Sequence, residues 1–133
     1  MRALMVAAAA AALCSGCVTA REAGPAKAFS MEQTTPQYSF TYDASAEVMA
    51  LPGMPALVKR DAAKQLAQLI KDNAQLRKDL PNDERNVQVY YEGDWLRAGD
   101  AGPLASVEMD MAAYGGGAHP ISGFSSRILD KQT

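Results

Sequence analysis

Few residues in this 133-residue chain could carry chemistry. His119 is its only imidazole, and Cys14 and Cys17 are its only thiols. Ser122, Ser125 and Ser126 follow His119 closely, but no Gly-x-Ser-x-Gly turn presents any of them as a nucleophile. A hydrolytic triad needs nucleophile, base and orienting acid held together, and a zinc site needs three or four His, Cys or carboxylate ligands. Cys14-Ser15-Gly16-Cys17 has the spacing of a redox or metal pair, yet no second pair or nearby histidine completes it. Glycoside hydrolysis requires only two carboxylates. Glu92, Asp94, Glu108 and Asp110 supply candidates, but nothing in the sequence gathers them into a cleft. Gly115-Gly116-Gly117 lacks the Lys-Ser/Thr that makes a phosphate loop. The expectation is a chain with no catalytic residues, no metal and no cofactor, hence not an enzyme.

The two cysteines have a different explanation. Met1-Arg2 precedes an apolar run, Ala3 to Leu13, of eleven residues. A charged start, a short apolar stretch and small residues before a cleavage point make an export signal. A bilayer-spanning helix needs about 20 residues, so the run is too short to remain as an anchor. Ser15-Gly16 directly before Cys17 resembles the box cleaved by lipoprotein signal peptidase, although Cys14 stands where Leu is usual and Leu13 lies one step further away. Residues 1–16 are therefore expected to be a lipoprotein signal peptide and Cys17 the lipidation site, since several acyl chains anchor firmly where one is marginal. With Cys14 removed and Cys17 acylated, the folded part has no free thiol, which suits an oxidising compartment. By resemblance to Gram-negative lipoprotein sorting rules, Val18 in place of Asp implies the periplasmic face of the outer membrane.

Charge excludes another class. The chain carries 13 basic and 15 acidic residues, net −2. Cleavage before Cys17 would remove only Arg2 from this count, leaving 12 basic and 15 acidic side chains, net −3. Nucleic-acid binding rests on neutralising phosphates with a basic surplus, so no nucleic-acid partner is expected.

These residues need elements to position them. Residues 17–37 are small and polar and read as a flexible tether; residues 38–133 read as one domain. Tyr38-Ser39-Phe40-Thr41-Tyr42 alternates as a strand with one buried face; its three aromatics serve core packing or, less simply, a sugar-stacking platform. Pro55 suits the first turn of a helix. From there Leu57, Val58, Ala62, Leu66, Leu69, Ile70, Ala74 and Leu80 recur at threes and fours, and Pro81 ends the pattern. Val87 to Leu96, interrupted by Gly93 as a bulge or bend, and Leu104 to Tyr114 read as a hairpin across a Gly-containing loop. Glu108 and Asp110 share its solvated face. Three successive glycines end the second strand in an unusual turn, and Ser122 to about Leu129 resumes as a strand. The expected fold class is α+β: one long amphipathic helix packed on an antiparallel sheet of about four strands.

Leu51-Pro52-Gly53-Met54-Pro55-Ala56-Leu57, the following helix and above all Tyr114-Gly115-Gly116-Gly117-Ala118-His119-Pro120 resemble a bacterial envelope domain. It is named for the N-terminal region of the peptidoglycan deacetylase PdaC and found also in the anti-sigma factor RsiV. The resemblance covers roughly Gln37 to Asp130. Gly115 departs from the pattern, which has Ser or Thr there. The resemblance implies an envelope binding or sensory module recognising peptidoglycan or an envelope protein, with Tyr114, Gly116, Gly117 and His119 as binding residues. Deacetylase chemistry belongs to a separate domain whose metal site needs two histidines. Members usually continue into a second domain, so the alternative expectation is the accessory first part of a longer lipoprotein or enzyme, truncated at Thr133. His119 has two readings: its ring bonds backbone and pins the turn, or it stands exposed and contacts a partner.

Overall fold

A computed structural model describes residues 24–82 and 86–133. The export signal, Cys14 and Cys17 lie outside the described residues. The elements follow one another as β1 (Lys27–Thr34), β2 (Tyr38–Ser45), a single-turn α1 (Ala46–Met49), α2 (Met54–Asp79), β3 (Val89–Ala101), β4 (Leu104–Tyr114) and β5 (Ile121–Asp130).

β1 and β2 form a hairpin whose turn is built by Thr35: its hydroxyl accepts from the backbone N–H of Gln37 (3.2 Å) and of Tyr38 (3.0 Å). The chain then crosses over through α2 and returns as β3, which pairs parallel to β2 from Tyr38 opposite Val89 to Ala44 opposite Trp95. β3–β4 and β4–β5 are antiparallel, and the sheet order equals the chain order.

The expectation of a long helix on an antiparallel sheet of about four strands is corrected. The sheet has five strands, it is mixed, and strands take 47% of the described residues. Two causes account for the difference. A 26-residue helix between neighbouring strands is long enough to carry the chain back to the same end of the sheet, and parallel pairing requires such a crossover. The extra strand, β1, lies inside the stretch from Cys17 to Gln37 that reads as tether; only Phe29 and Met31 alternate there, packing against the core beneath.

Phe40, Tyr42, Val48, Met54, Val58, Ala62, Ala105 and Val107 are at most 1% exposed. Phe40, Tyr42 and Tyr91 stack with centroids 5.6–6.4 Å apart, so the aromatics of β2 pack the core and form no external platform. Gly93 is not a bulge: it stays in register between Tyr42 and Met111. A Cβ there would lie 3.1 Å from the Tyr42 ring and 3.2 Å from the Tyr91 ring, which is why the position is a glycine. The bend falls further along, as a register shift between Arg97 and Gly99.

Candidate functional site

α2 packs tightly at one end and loosely at the other. Met54, Val58 and Ala62 are buried in its first half, whereas in its second half only Asn73 is buried and Ile70 is 41% exposed. The facing end of the sheet explains this. Ala113, Gly115 and Gly116 offer little volume to Leu69 and Leu76, so the apolar stripe of the helix has nothing large to fill it. The result is a groove of about 250 Å³ between α2 and the sheet end, lined by Leu69, Leu76, Val89, Tyr91, Ala113, Gly115 and Ile121, with Gln65, Gln68, Asp72 and Asn73 along the helix side.

A clamp holds the base of this groove. Asn73 Nδ2 donates to Gln37 Oε1 at 3.3 Å, and Asn73 Oδ1 accepts from Arg77 Nε at 3.1 Å. Arg77 Nη2 also donates to the backbone carbonyls of Gln37 (3.0 Å) and Val87 (2.8 Å). One guanidinium fork therefore ties the helix to the starts of both parallel strands, a use of fixed donor geometry that lysine cannot reproduce. Asn73 is committed to the clamp at both ends of its amide. Gln68 Nε2 donates to Asp72 Oδ1 at 2.7 Å on the exposed rim. Burial, then the nearby Asp61 charge, pushes the Tyr91 phenol up to about 12, so it remains a neutral hydroxyl at physiological pH.

A second buried polar chain anchors the tight half of the helix. Trp95 Nε1 donates to the Tyr42 hydroxyl at 2.8 Å, and that hydroxyl donates to Asp61 Oδ2 at 2.5 Å. Burial and the Asp61 carboxylate raise the Tyr42 phenol well above its usual range.

The turn motif is divided by the structure. Tyr114 and Gly115 line the groove, and Gly116 adopts φ +87 against Leu76, where a Cβ would come within 2.6 Å of Cδ2. Gly117 touches nothing within 4 Å of its Cβ position, and residues 117–120 are exposed. His119 is exposed with no hydrogen-bond partner among the described residues, so no contact of the pinning kind is seen. Tyr114 pairs with Tyr90 across β4–β3, ring centroids 6.2 Å apart. They alternate with core-facing Tyr91 and Ala113, yet at this end of the sheet both residues still border the groove.

The face of the sheet away from α2 gathers acids. Asp43, Asp94 and Asp110 are direct cross-strand neighbours on β2, β3 and β4, and with Glu92 they line a shallow depression of about 310 Å³. Glu92, Asp94 and Asp110 stand out in the sequence, whereas Asp43 does not, although alternation puts it on the face opposite Tyr42. Asp43 is 4% exposed; Lys27 donates to its Oδ2, and its Oδ1 has no partner among the described residues. Burial, then the Asp43 charge, holds the Asp94 carboxyl above the usual carboxylate range, with Asp110 adding and Lys27 opposing. Among the described residues no group of three or more His, Cys, Asp or Glu is placed to hold a metal ion. Nor is any described helix long and apolar enough to cross a membrane.

No family model matches the chain. No curated protein matches it either. Among solved structures it is similar to a member of the DUF3298 family from Bacteroides fragilis, at 15% identity and a TM-score of 0.46. The match covers 77% of this chain and 54% of that one, so the chain spans about half the length of that protein.

Proposed function

We propose that this chain is a non-catalytic binding module of the bacterial cell envelope, tethered by lipid at Cys17, that holds a stretch of peptidoglycan in the groove beside Tyr114-Gly115-Gly116. The observation that carries the reading is the groove's lining: apolar surface from the sheet end and from Leu69 and Leu76, a polar rim of Gln65, Gln68, Asp72 and Asn73 along the helix, and no nucleophile–base pair among the residues around it. A glycan offers such a site apolar ring faces together with amide and hydroxyl groups. Ligand sites are commonly concave and mostly apolar, with a few placed polar groups. The resemblance of the turn to the PdaC/RsiV-type domain supports the same compartment and partner. The Cys17 lipobox supports an envelope location on the periplasmic face of the outer membrane.

Co-sedimentation with purified peptidoglycan sacculi tests the reading. A Cβ at Gly115 would meet nothing within 4 Å, and the position needs no left-handed backbone, so Gly115→Phe is accommodated while obstructing the groove. Wild-type protein is expected to sediment with sacculi and Gly115→Phe to stay in solution, with equal melting temperatures. Equal sedimentation of both, or retention of neither, contradicts the groove as a glycan site. Mass spectrometry of membrane-extracted protein tests the anchor: a diacylglyceryl group on a chain starting at Cys17 is expected, and an unmodified Met1 start contradicts it.

A further inference from the structure

One row of residues on the side of the sheet away from α2 carries three carboxylates. Asp43 on β2, Asp94 on β3 and Asp110 on β4 stand directly opposite one another across adjacent strands. Glu92, two residues before Asp94, borders the same depression. Like charges directly opposite on neighbouring strands destabilise a sheet, and here that happens twice in succession. Glu92, Asp94 and Asp110 make no ion pair among the described residues, and the cation paired with the row is Lys27, on Asp43 Oδ2. Asp43 is the independent sign of a ligand. Alternation with core-facing Tyr42 and Ala44 turns it to this side of the sheet. Its side chain is only 6% exposed, it lines the depression, and its Oδ1 has no hydrogen-bond partner among the described residues. A buried acceptor left unmatched is costly to the fold.

We propose that this row binds a linear aliphatic triamine, its ammonium groups laid along Asp43, Asp94 and Asp110. The spacing selects the class. Neighbouring strands lie about 4.8 Å apart, so the row runs for about 10 Å from Asp43 to Asp110. A point charge does not suit it: among the described residues no three His, Cys, Asp or Glu side chains are placed to hold a metal ion. A chain with three methylenes between nitrogens does. Four zigzag bonds of about 1.5 Å put successive nitrogens about 5 Å apart, and three nitrogens over about 10 Å. The row already accepts an ammonium group. Lys27 sits on Asp43 Oδ2 from the β1 side and leaves Oδ1 for a second cation.

Between the carboxylates the depression is lined by Thr41, Gly93, Met111 and Ala112, an uncharged surface for the methylenes. Burial, and then the Asp43 charge, holds the Asp94 carboxyl above the usual carboxylate range. A cation laid between Asp43 and Asp94 removes the second of those causes and supplies the partner that Oδ1 lacks. The depression shares no residue with the groove beside Tyr114-Gly115-Gly116, so the amine site stands whether or not that groove takes glycan.

Equilibrium dialysis of the full chain against bis(3-aminopropyl)amine, at constant ionic strength, tests the site. Saturable one-to-one retention is expected. Two further amines separate spacing from charge. Bis(hexamethylene)triamine carries the same charge at wider spacing, and 1,3-diaminopropane has the same spacing with one nitrogen fewer. Each is expected to bind at least about tenfold more weakly, a difference of about 1.4 kcal/mol. Asp94→Asn combined with Asp110→Asn is expected to weaken the triamine at least about tenfold. Its melting temperature should not fall, because the substitutions remove opposed charges. Asp79→Asn, on the exposed flank of α2, is expected to leave binding unchanged. No retention of the triamine overturns the proposal. So does equal affinity for the three amines, or binding indifferent to the double substitution.

Discussion

Tyr42→Phe isolates the polar chain that fastens the helix to the sheet. The substitution removes one oxygen and leaves the stacked ring in place between Phe40 and Tyr91. Two interactions disappear. The hydroxyl no longer donates to the Asp61 carboxylate, and a hydrogen bond to a charged group contributes about 1.5–3 kcal/mol. Trp95, 2% exposed, keeps an indole N–H that no longer has an acceptor, and a buried orphan donor costs about 1–3 kcal/mol. Asp61 is only half-buried and can turn to water, which brings its share to the low end. The sum is about 2.5–4.5 kcal/mol. At about 5 °C per kcal/mol for a domain of this size, the melting temperature should fall by roughly 12–22 °C. Urea unfolding followed by circular dichroism and Trp95 fluorescence measures it, the single tryptophan reporting on the site itself. Asp61→Ala should cost less than Tyr42→Phe, because the Trp95 N–H keeps its acceptor. A loss below about 0.5 kcal/mol for Tyr42→Phe, the size of an ordinary surface change, or a greater loss for Asp61→Ala, would show that the Trp95–Tyr42–Asp61 chain does not fasten the helix.

Other expectations follow from the same geometry. Gly116→Ala should destabilise by about 1–2 kcal/mol, since its φ of +87 strains any Cβ and Leu76 must move, whereas Gly117→Ala should change thermal stability by less than about 0.5 kcal/mol. Arg77→Lys should lose most of what Arg77→Ala loses, about 1.5–3 kcal/mol in urea unfolding, because an ammonium cannot serve Asn73 and two carbonyls together. Asp94 has a raised carboxyl, so its ionisation opposes folding at neutral pH. Asp94→Asn should therefore raise the melting temperature at neutral pH, with the gain vanishing as pH falls below the ordinary carboxylate range. The Tyr91 phenol, raised to about 12 by burial, contributes stability that is present below about 10 and lost as pH rises towards 12. Alkaline unfolding should thus set in above about pH 10, with tyrosinate absorbance rising in step with loss of circular dichroism.

What can be read from the residues depends on how local the signal is. The α2 stripe from Leu57 to Leu80 and the alternation of Leu104 to Tyr114 carry their own periods and lie on α2 and β4; the first hairpin strand, read as ending near Leu96, runs on to Ala101, and the resumed strand from Ser122 to about Leu129 spans Ile121–Asp130. The parallel pairing of β2 with β3 has no local signature. It is a consequence of where a 26-residue crossover leaves the chain, and short alternating strands read alike in either direction. β1 escapes a periodicity reading because only Phe29 and Met31 alternate within a polar, Pro-flanked stretch. The groove is half legible: Tyr114-Gly115-Gly116 marks one wall, while the opposite wall depends on which helix residues lie over small ones. His119 stands out as the sole imidazole, yet it lies on the exposed part of the turn, and the groove lining does not include it. Asp43 passes unnoticed because a polar residue in an alternating strand normally faces water, whereas here Lys27 and the surrounding sheet cover it.

The groove's role is tested most directly by recording amide spectra of the labelled protein while adding soluble peptidoglycan fragments. Saturable shifts are expected at Leu69, Asn73, Leu76, Gly115 and Ile121. Shifts confined to His119 or to the acidic row of Asp43, Asp94 and Asp110, or none at millimolar ligand, would contradict the groove's role.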